Sequence, residues 1–77
     1  MNPLPVIDVH GMNRVEAVKT VRKNLKYFHD QGFNEVHIIH GHGTGVLKAY
    51  VRTLLSHLSY VKDMRSESND GVTVAVF

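Results

Sequence analysis

Six consecutive residues, His40-Gly41-His42-Gly43-Thr44-Gly45, crowd three glycines and two imidazoles into one short stretch, and a second pair, Asp8 and His10, stands two residues apart near the start of the chain. Glycines at this density let a backbone take positive φ or let a ligand approach closely. A β-branched apolar run precedes them and an amphipathic run follows, which marks a strand-to-helix turn. The free N–H groups of a first helical turn, with the positive end of the dipole behind them, form an anion site, and phosphate is the natural occupant. The plainer alternative is a glycine turn capped by Thr44. Histidine titrates near neutrality and can take or give a proton at physiological pH; Asp8 can orient one imidazole or hold its proton.

Periodicity supplies the elements that must position these residues. Glu35 to Ile39 is short, β-branched and bounded by Gly32 and Gly41, which predicts a buried strand. Leu47, Tyr50, Val51, Leu54, Leu55 and Leu58 recur on one helical face, predicting a second helix over about Val46 to Leu58. Val6 to His10 alternates as a strand ended by Gly11, with Asp8 and His10 on the same face. Asn13 with Glu16 forms a capping box, and Val18, Val21, Leu25 and Phe28 then make the stripe of a first helix from Arg14 to Gln31. Five of the nine lysines and arginines fall in that helix, with Lys19, Arg22, Lys23 and Lys26 together on a face away from the stripe, the ordinary meaning of which is a solvated surface. Val61 to Arg65 and Val72 to Phe77 complete the chain as a hairpin closed by Asn69-Asp70-Gly71.

The pattern is β-α-β-α-β-β, an α/β (α+β) two-layer sandwich with a four-stranded mixed sheet. Strands joined by one helix are parallel with a right-handed crossover, so strands one and two end at the same edge. Asp8, His10 and Gly11 therefore meet the histidine-glycine loop at the carboxyl edge, where open α/β sheets bind ligands. The last strand is apolar on both faces and belongs in the middle, giving the order one, two, four, three, with strand four antiparallel and both helices on one face.

With 77 residues, 43% of them hydrophobic, there is room for one domain with one modest core, burying roughly 60% of the unfolded chain's surface. Met1 to Pro5, with two prolines, is a lead-in, and residues 6–77 form the domain, expected to be a module cut from a longer protein. Without cysteine neither disulfides nor thiolate metal sites are available, and a cytoplasmic setting is expected. No signal peptide or long apolar span is present, so no membrane partner is expected. A net charge of +2 is only mildly basic, and its distribution matters more than its total.

Ile7-Asp8-Val9-His10-Gly11, followed about thirty residues on by His40 to Gly45, resembles the small MutS-related (Smr) domain over nearly the whole chain, from Val6 to Phe77. In that family the first motif is usually Leu-Asp-x-His and the second His-Gly-x-Gly-x-Gly; Ile7 replaces the leucine conservatively. The last loop departs more, with Ser68-Asn69-Asp70-Gly71 where the family often has a glycine-richer turn. The resemblance implies a fold similar to the C-terminal domain of bacterial translation initiation factor three. It implies an endonuclease, or a nucleic-acid-binding domain, acting on RNA or branched DNA and reaching the ribosome through a larger MutS-like parent. By position, Asp8 and His10 match the first motif and His40 to Gly45 the second.

Phosphodiester cleavage needs a base for the nucleophile, an acid for the leaving oxygen and donors on the phosphoryl oxygens. His10 and His40 are expected to supply the first two, with Asp8 beside them as the third catalytic residue. The amides of Gly43 to Gly45 are expected to hold the phosphate, Gly41, His42 and Thr44 to add contacts, and Lys48 and Arg52, four apart on the second helix and clear of its apolar stripe, to grip flanking backbone. No cofactor is expected. DNA hydrolysis usually draws on several carboxylates and divalent metal, whereas RNA carries its own nucleophile in the 2′-hydroxyl, so metal-independent RNA cleavage is favoured and DNA nicking would be slow or metal-assisted. Two rivals are a non-catalytic module that positions a larger machine on nucleic acid or a ribosome, and a zinc site built from Asp8, His10, His40 and His42. In structural terms Asp8 could instead accept backbone hydrogen bonds, and His29, His37 and His57, lacking partner motifs, are expected at the surface.

Overall fold

A computed structural model describes residues 5–77 as β1 (Val6–Asp8), α1 (Arg14–Asp30), β2 (Glu35–Ile39), α2 (Val46–Ser56), β3 (Asp63–Glu67) and β4 (Val72–Val76). The sheet runs β1-β2-β4-β3. β1 and β2 are parallel, with Asp8 opposite Ile39, and β4 is antiparallel to both β2 and β3. The lead-in, Met1 to Pro5, lies outside the described residues except for Pro5, whose carbonyl accepts the His37 amide at 2.9 Å.

Both helices cover one face of the sheet. Ala17, Val21 and Leu25 of α1 and Val51, Leu54 and Leu55 of α2 are buried with Ile7, Val36, Ile38 and Ala75 in a single cluster. α1 begins where Asn13 takes an extended conformation and its side chain accepts the Glu16 amide at 2.9 Å.

Several boundaries differ from the periodic reading. β1 stops at Asp8 because the chain turns immediately: Met12 donates to the Val9 carbonyl, and Gly11 sits at a φ of 79° that glycine adopts freely. β3 starts two residues later than its apolar residues suggest, since Val61 donates back to Leu58 in a turn after α2. Tyr50 leaves the α2 stripe and stands 40% exposed.

Two of the remaining histidines are not free at the surface. His29 is half-buried between the rings of Tyr60 and Phe77, with centroids at 4.6 and 5.1 Å. His37 projects from the sheet face opposite the buried core residues of β2, between Glu35 and Glu67 at 3.7 Å each. Arg65 clamps Glu35 there with two hydrogen bonds at 3.0 and 3.1 Å. His57 remains exposed and caps the end of α2 through the Thr53 carbonyl at 2.7 Å.

Candidate active site and nucleic-acid interface

Three loops converge at the carboxyl edge of β1 and β2. The chain after β1 and the loop from β2 to α2 enclose a cleft of about 310 Å³ lined by His10, Gly11, His40, Gly41, Thr44 and Lys48 among others. The turn between β3 and β4 reaches the same edge because β4 is antiparallel to β2.

Asp8 and His10 form a tight pair. Asp8 Oδ1 accepts both the backbone amide of His10, at 3.2 Å, and its ring Nδ1, at 2.5 Å. These hydrogen bonds from the ring and the backbone hold the Asp8 carboxyl below the usual aspartate range. An ionised carboxylate can only accept, so Nδ1 carries the proton and Nε2 presents a lone pair. Both side chains are about half exposed or more, with His10 at 67%, so that nitrogen is open to a ligand. The structural alternative for Asp8, acceptance of backbone hydrogen bonds, is thus realised in part, but from His10 itself.

The glycine loop turns sharply into α2. Gly41 and Gly45 have φ values of 81° and 85°, where a side chain would strain the backbone. Gly45 is the N-cap of α2 and no side chain bonds the end of the helix, so Thr44 does not cap it. The first turn of α2 holds no acidic residue, whereas α1 has both Asn13 and Glu16 at its start. Among the described residues, the amides from Gly43 to Lys48 donate to no backbone carbonyl. One helix end is thus neutralised and the other left open beside His10.

His40 is placed differently from the expectation of a second proton-transfer group. It is 5% exposed. Nε2 meets Thr73 Oγ1 at 2.9 Å, and Nδ1 lies 3.0 Å from the Gly41 carbonyl. Both nitrogens are therefore engaged by the protein beneath the cleft. The His40 and Gly41 amides both donate to the Gly71 carbonyl, which fastens the loop to β4.

His42 and Lys48 turn toward the β3–β4 turn, and Arg52 toward the end of β3. His42 Nε2 donates to the Ser68 carbonyl at 2.9 Å, Lys48 pairs with Asp70 at 3.2 Å, and Arg52 donates to Ser66 Oγ at 3.1 Å. Lys48 holds the Asp70 carboxyl below its ordinary range, with help from Ser66. The two cations clear of the apolar stripe of α2 are thus fasteners of the third loop as well as charges near the cleft. Ser68, Asn69 and Asp70 all adopt positive φ, so the turn is held in a conformation that costs free energy at each non-glycine position.

Asp8, His10, His40 and His42 do not assemble as the four-donor zinc site requires. His10 and His40 each have a ring nitrogen committed to Asp8 or Thr73, and His42 turns to Ser68. Among the described residues no three His, Asp or Glu side chains converge into a ligand set.

Arg14 and Tyr50 meet on the α1–α2 side of the molecule, a pairing that no local signal in the sequence foretells. Arg14 donates to the Tyr50 hydroxyl at 3.2 Å, with its guanidinium carbon 5.5 Å from the ring centroid. Tyr50 fits the apolar period of α2, which conceals its place on the rim.

The Smr domain family model matches residues 7–77. The chain is 40% identical over 74 residues to a protein named Endonuclease MutS2 from Caldanaerobacter subterraneus subsp. tengcongensis, covering 91% of this chain and 9% of that protein. It is 43% identical over 72 residues to the Endonuclease MutS2 of Acetivibrio thermocellus, covering 88% of this chain and again 9% of the relative. The chain therefore spans about a tenth of the length of these relatives. Among solved structures, the crystal structure of the Smr domain of Thermus thermophilus MutS2 superposes with a TM-score of 0.90 at 26% identity, covering 95% of this chain and 96% of that one.

Proposed function

The chain belongs to the Smr domain family, and from that membership and the geometry of its sheet edge we propose that it is a nucleic-acid endonuclease domain that favours RNA. One observation carries the reading: an Asp8–His10 pair with a free Nε2 opens onto a cleft whose floor is an uncapped helix N-terminus.

In this reading the scissile phosphate lies against the amides of Gly43 to Gly45 and the first turn of α2, with Thr44, His42 and Lys48 at its rim. His10 Nε2 removes the proton of the adjacent 2′-hydroxyl, and Asp8 holds the ring in the required tautomer and stabilises the imidazolium. The 2′-oxygen bonds to phosphorus as the bond to the 5′-oxygen breaks. The departing oxygen takes its proton from solvent in the open cleft. The products are a 2′,3′-cyclic phosphate and a 5′-hydroxyl. His40 acts as a positioning residue that ties the loop to Thr73, and Lys48 and Arg52 set the third loop while adding positive potential beside the cleft. DNA, lacking the 2′-hydroxyl, would be nicked slowly or with a divalent ion. Which nucleic acid is presented, branched DNA or RNA on a ribosome, is the work of a larger parent protein.

The test is one RNA with a single deoxy substitution at the scissile nucleotide, assayed with and without EDTA. Cleavage is expected to stop at the deoxy position and to persist in EDTA on ordinary RNA. Cutting of the deoxy substrate, or loss of RNA cleavage in EDTA, overturns the 2′-hydroxyl mechanism. Binding without cleavage under every condition would favour the positioning module instead.

A further inference from the structure

We infer that the groove between α1 and α2 is a second nucleic-acid subsite, which takes an unpaired nucleotide with its base on Tyr50 and the flanking phosphates on Arg14, Lys19 and Arg22. The groove encloses about 440 Å³ and is lined by those four residues with Val15 and Val18. Its floor is apolar and accessible: Val15 is 58% exposed and Tyr50 40%. Burying neither in the core leaves a flat ring and an aliphatic patch facing outward, the surface on which a base stacks irrespective of its identity. The Arg14 contact to the hydroxyl and ring braces Tyr50, so little side-chain freedom remains to be lost on binding.

Charge selects the occupant. Lys26, Lys48 and Arg65 are paired with Asp30, Asp70 and the two glutamates, Glu35 and Glu67. Among the described residues Arg14, Lys19 and Arg22 have no carboxylate within 4.0 Å. Three of the cations left without a carboxylate partner thus line one groove beside the exposed Tyr50 ring, a combination suited to a single strand. The groove is also a neighbour of the cleft along α2. Val46 lines the cleft and Tyr50 the groove, one turn apart on α2, about 6 Å along the axis at 1.5 Å per residue. A strand with its phosphate in the cleft reaches the groove with its next nucleotide.

The subsite rests on the nuclease reading of the neighbouring cleft, and the test separates the two. Fluorescence anisotropy of the 77-residue chain with a labelled oligouridylate and with a blunt RNA duplex is measured across a salt series. Tyr50→Ala is expected to weaken oligouridylate binding about tenfold and leave the duplex within about twofold, with Tyr50→Phe restoring affinity. Lys19→Ala with Arg22→Ala is expected to flatten the single-strand salt slope by roughly one to two. Unchanged affinity in both sets, equal loss for the duplex, or binding of polyglutamate in preference to oligouridylate overturns the subsite. RNA cleavage is followed alongside. Loss of cutting in His10→Ala, with no effect of Tyr50→Ala on affinity, overturns the groove alone. The Tyr50 effect without cutting by any form supports the groove and overturns the nuclease reading.

Discussion

Asp8 fixes the proton of His10 on Nδ1, and the proposed cleavage rests on the one remaining nitrogen of that ring. Replacing His10 with alanine is expected to lower single-turnover RNA cleavage by about 10²–10⁴, the range of a general base, while affinity changes less than about tenfold. Asp8→Asn is expected to fall in the same direction, because an amide can donate to Nδ1 and reverse the tautomer. Equal losses of binding and cutting would place both residues in substrate binding. The pH profile follows from the direction of the Asp8 shift. A carboxyl depressed in the folded state contributes fully above its unfolded value of about 3.9, and that contribution is lost only as pH falls through the lower folded value. The pair is therefore intact throughout the range in which histidines titrate. Cleavage is expected to rise with one ionisation in that range and then level off; a bell with a second neutral ionisation would bring His40 into proton transfer. His40 has its own test at Thr73, which is fully buried and meets Nε2. Thr73→Val leaves that nitrogen unpartnered and is expected to cost about 1–3 kcal/mol in urea unfolding. The shape of the pH profile should not change.

At the scale of elements, the β3–β4 turn acts as a strap across the loop that precedes α2. Its tightest point is Gly71, where an added Cβ would lie 2.8 Å from His42 Cε1 and 3.2 Å from the Ser68 carbonyl oxygen. Gly71→Ala is therefore expected to destabilise the domain by about 1–3 kcal/mol, as overpacking does. That is roughly 4–8 °C of melting temperature per kcal/mol in a domain of this size. Removing the imidazole should relieve it, so Gly71→Ala combined with His42→Ala is expected to cost less than the sum of the single changes. Strict additivity would show that the clash is with the Ser68 backbone alone. The turn's three positive φ values point the other way: Ser68→Gly removes strain and is expected to raise stability by a few tenths of a kcal/mol, net of glycine's greater unfolded freedom.

The whole molecule is two layers around one core, and a chain of 77 residues has a small total stability, about 4–12 kcal/mol at the usual value per residue. Leu25 is fully buried in the cluster that joins both helices to the sheet. Leu25→Ala is expected to remove about 2–5 kcal/mol, a large fraction of that total, lowering the urea midpoint with little change of slope. Tyr50→Ala, on the rim, is expected to stay within about 0.5 kcal/mol. No helix among the described residues is long and apolar enough to cross a membrane. Periodicity, capping residues and glycines are local quantities, and they sufficed to set the six elements, the strand order and the meeting of Asp8 and His10 with the histidine-glycine loop, because crossover handedness leaves little choice of topology. The fate of each polar side chain is not local. His42 is anchored to Ser68 across 26 residues, His40 to Thr73 across 33 and Arg14 to Tyr50 across 36. Which imidazole stays free, which cations are consumed by the third loop and which aromatic faces outward were therefore decided by the tertiary structure, since burial and hydrogen-bond partners exist only once distant strands and helices share a surface.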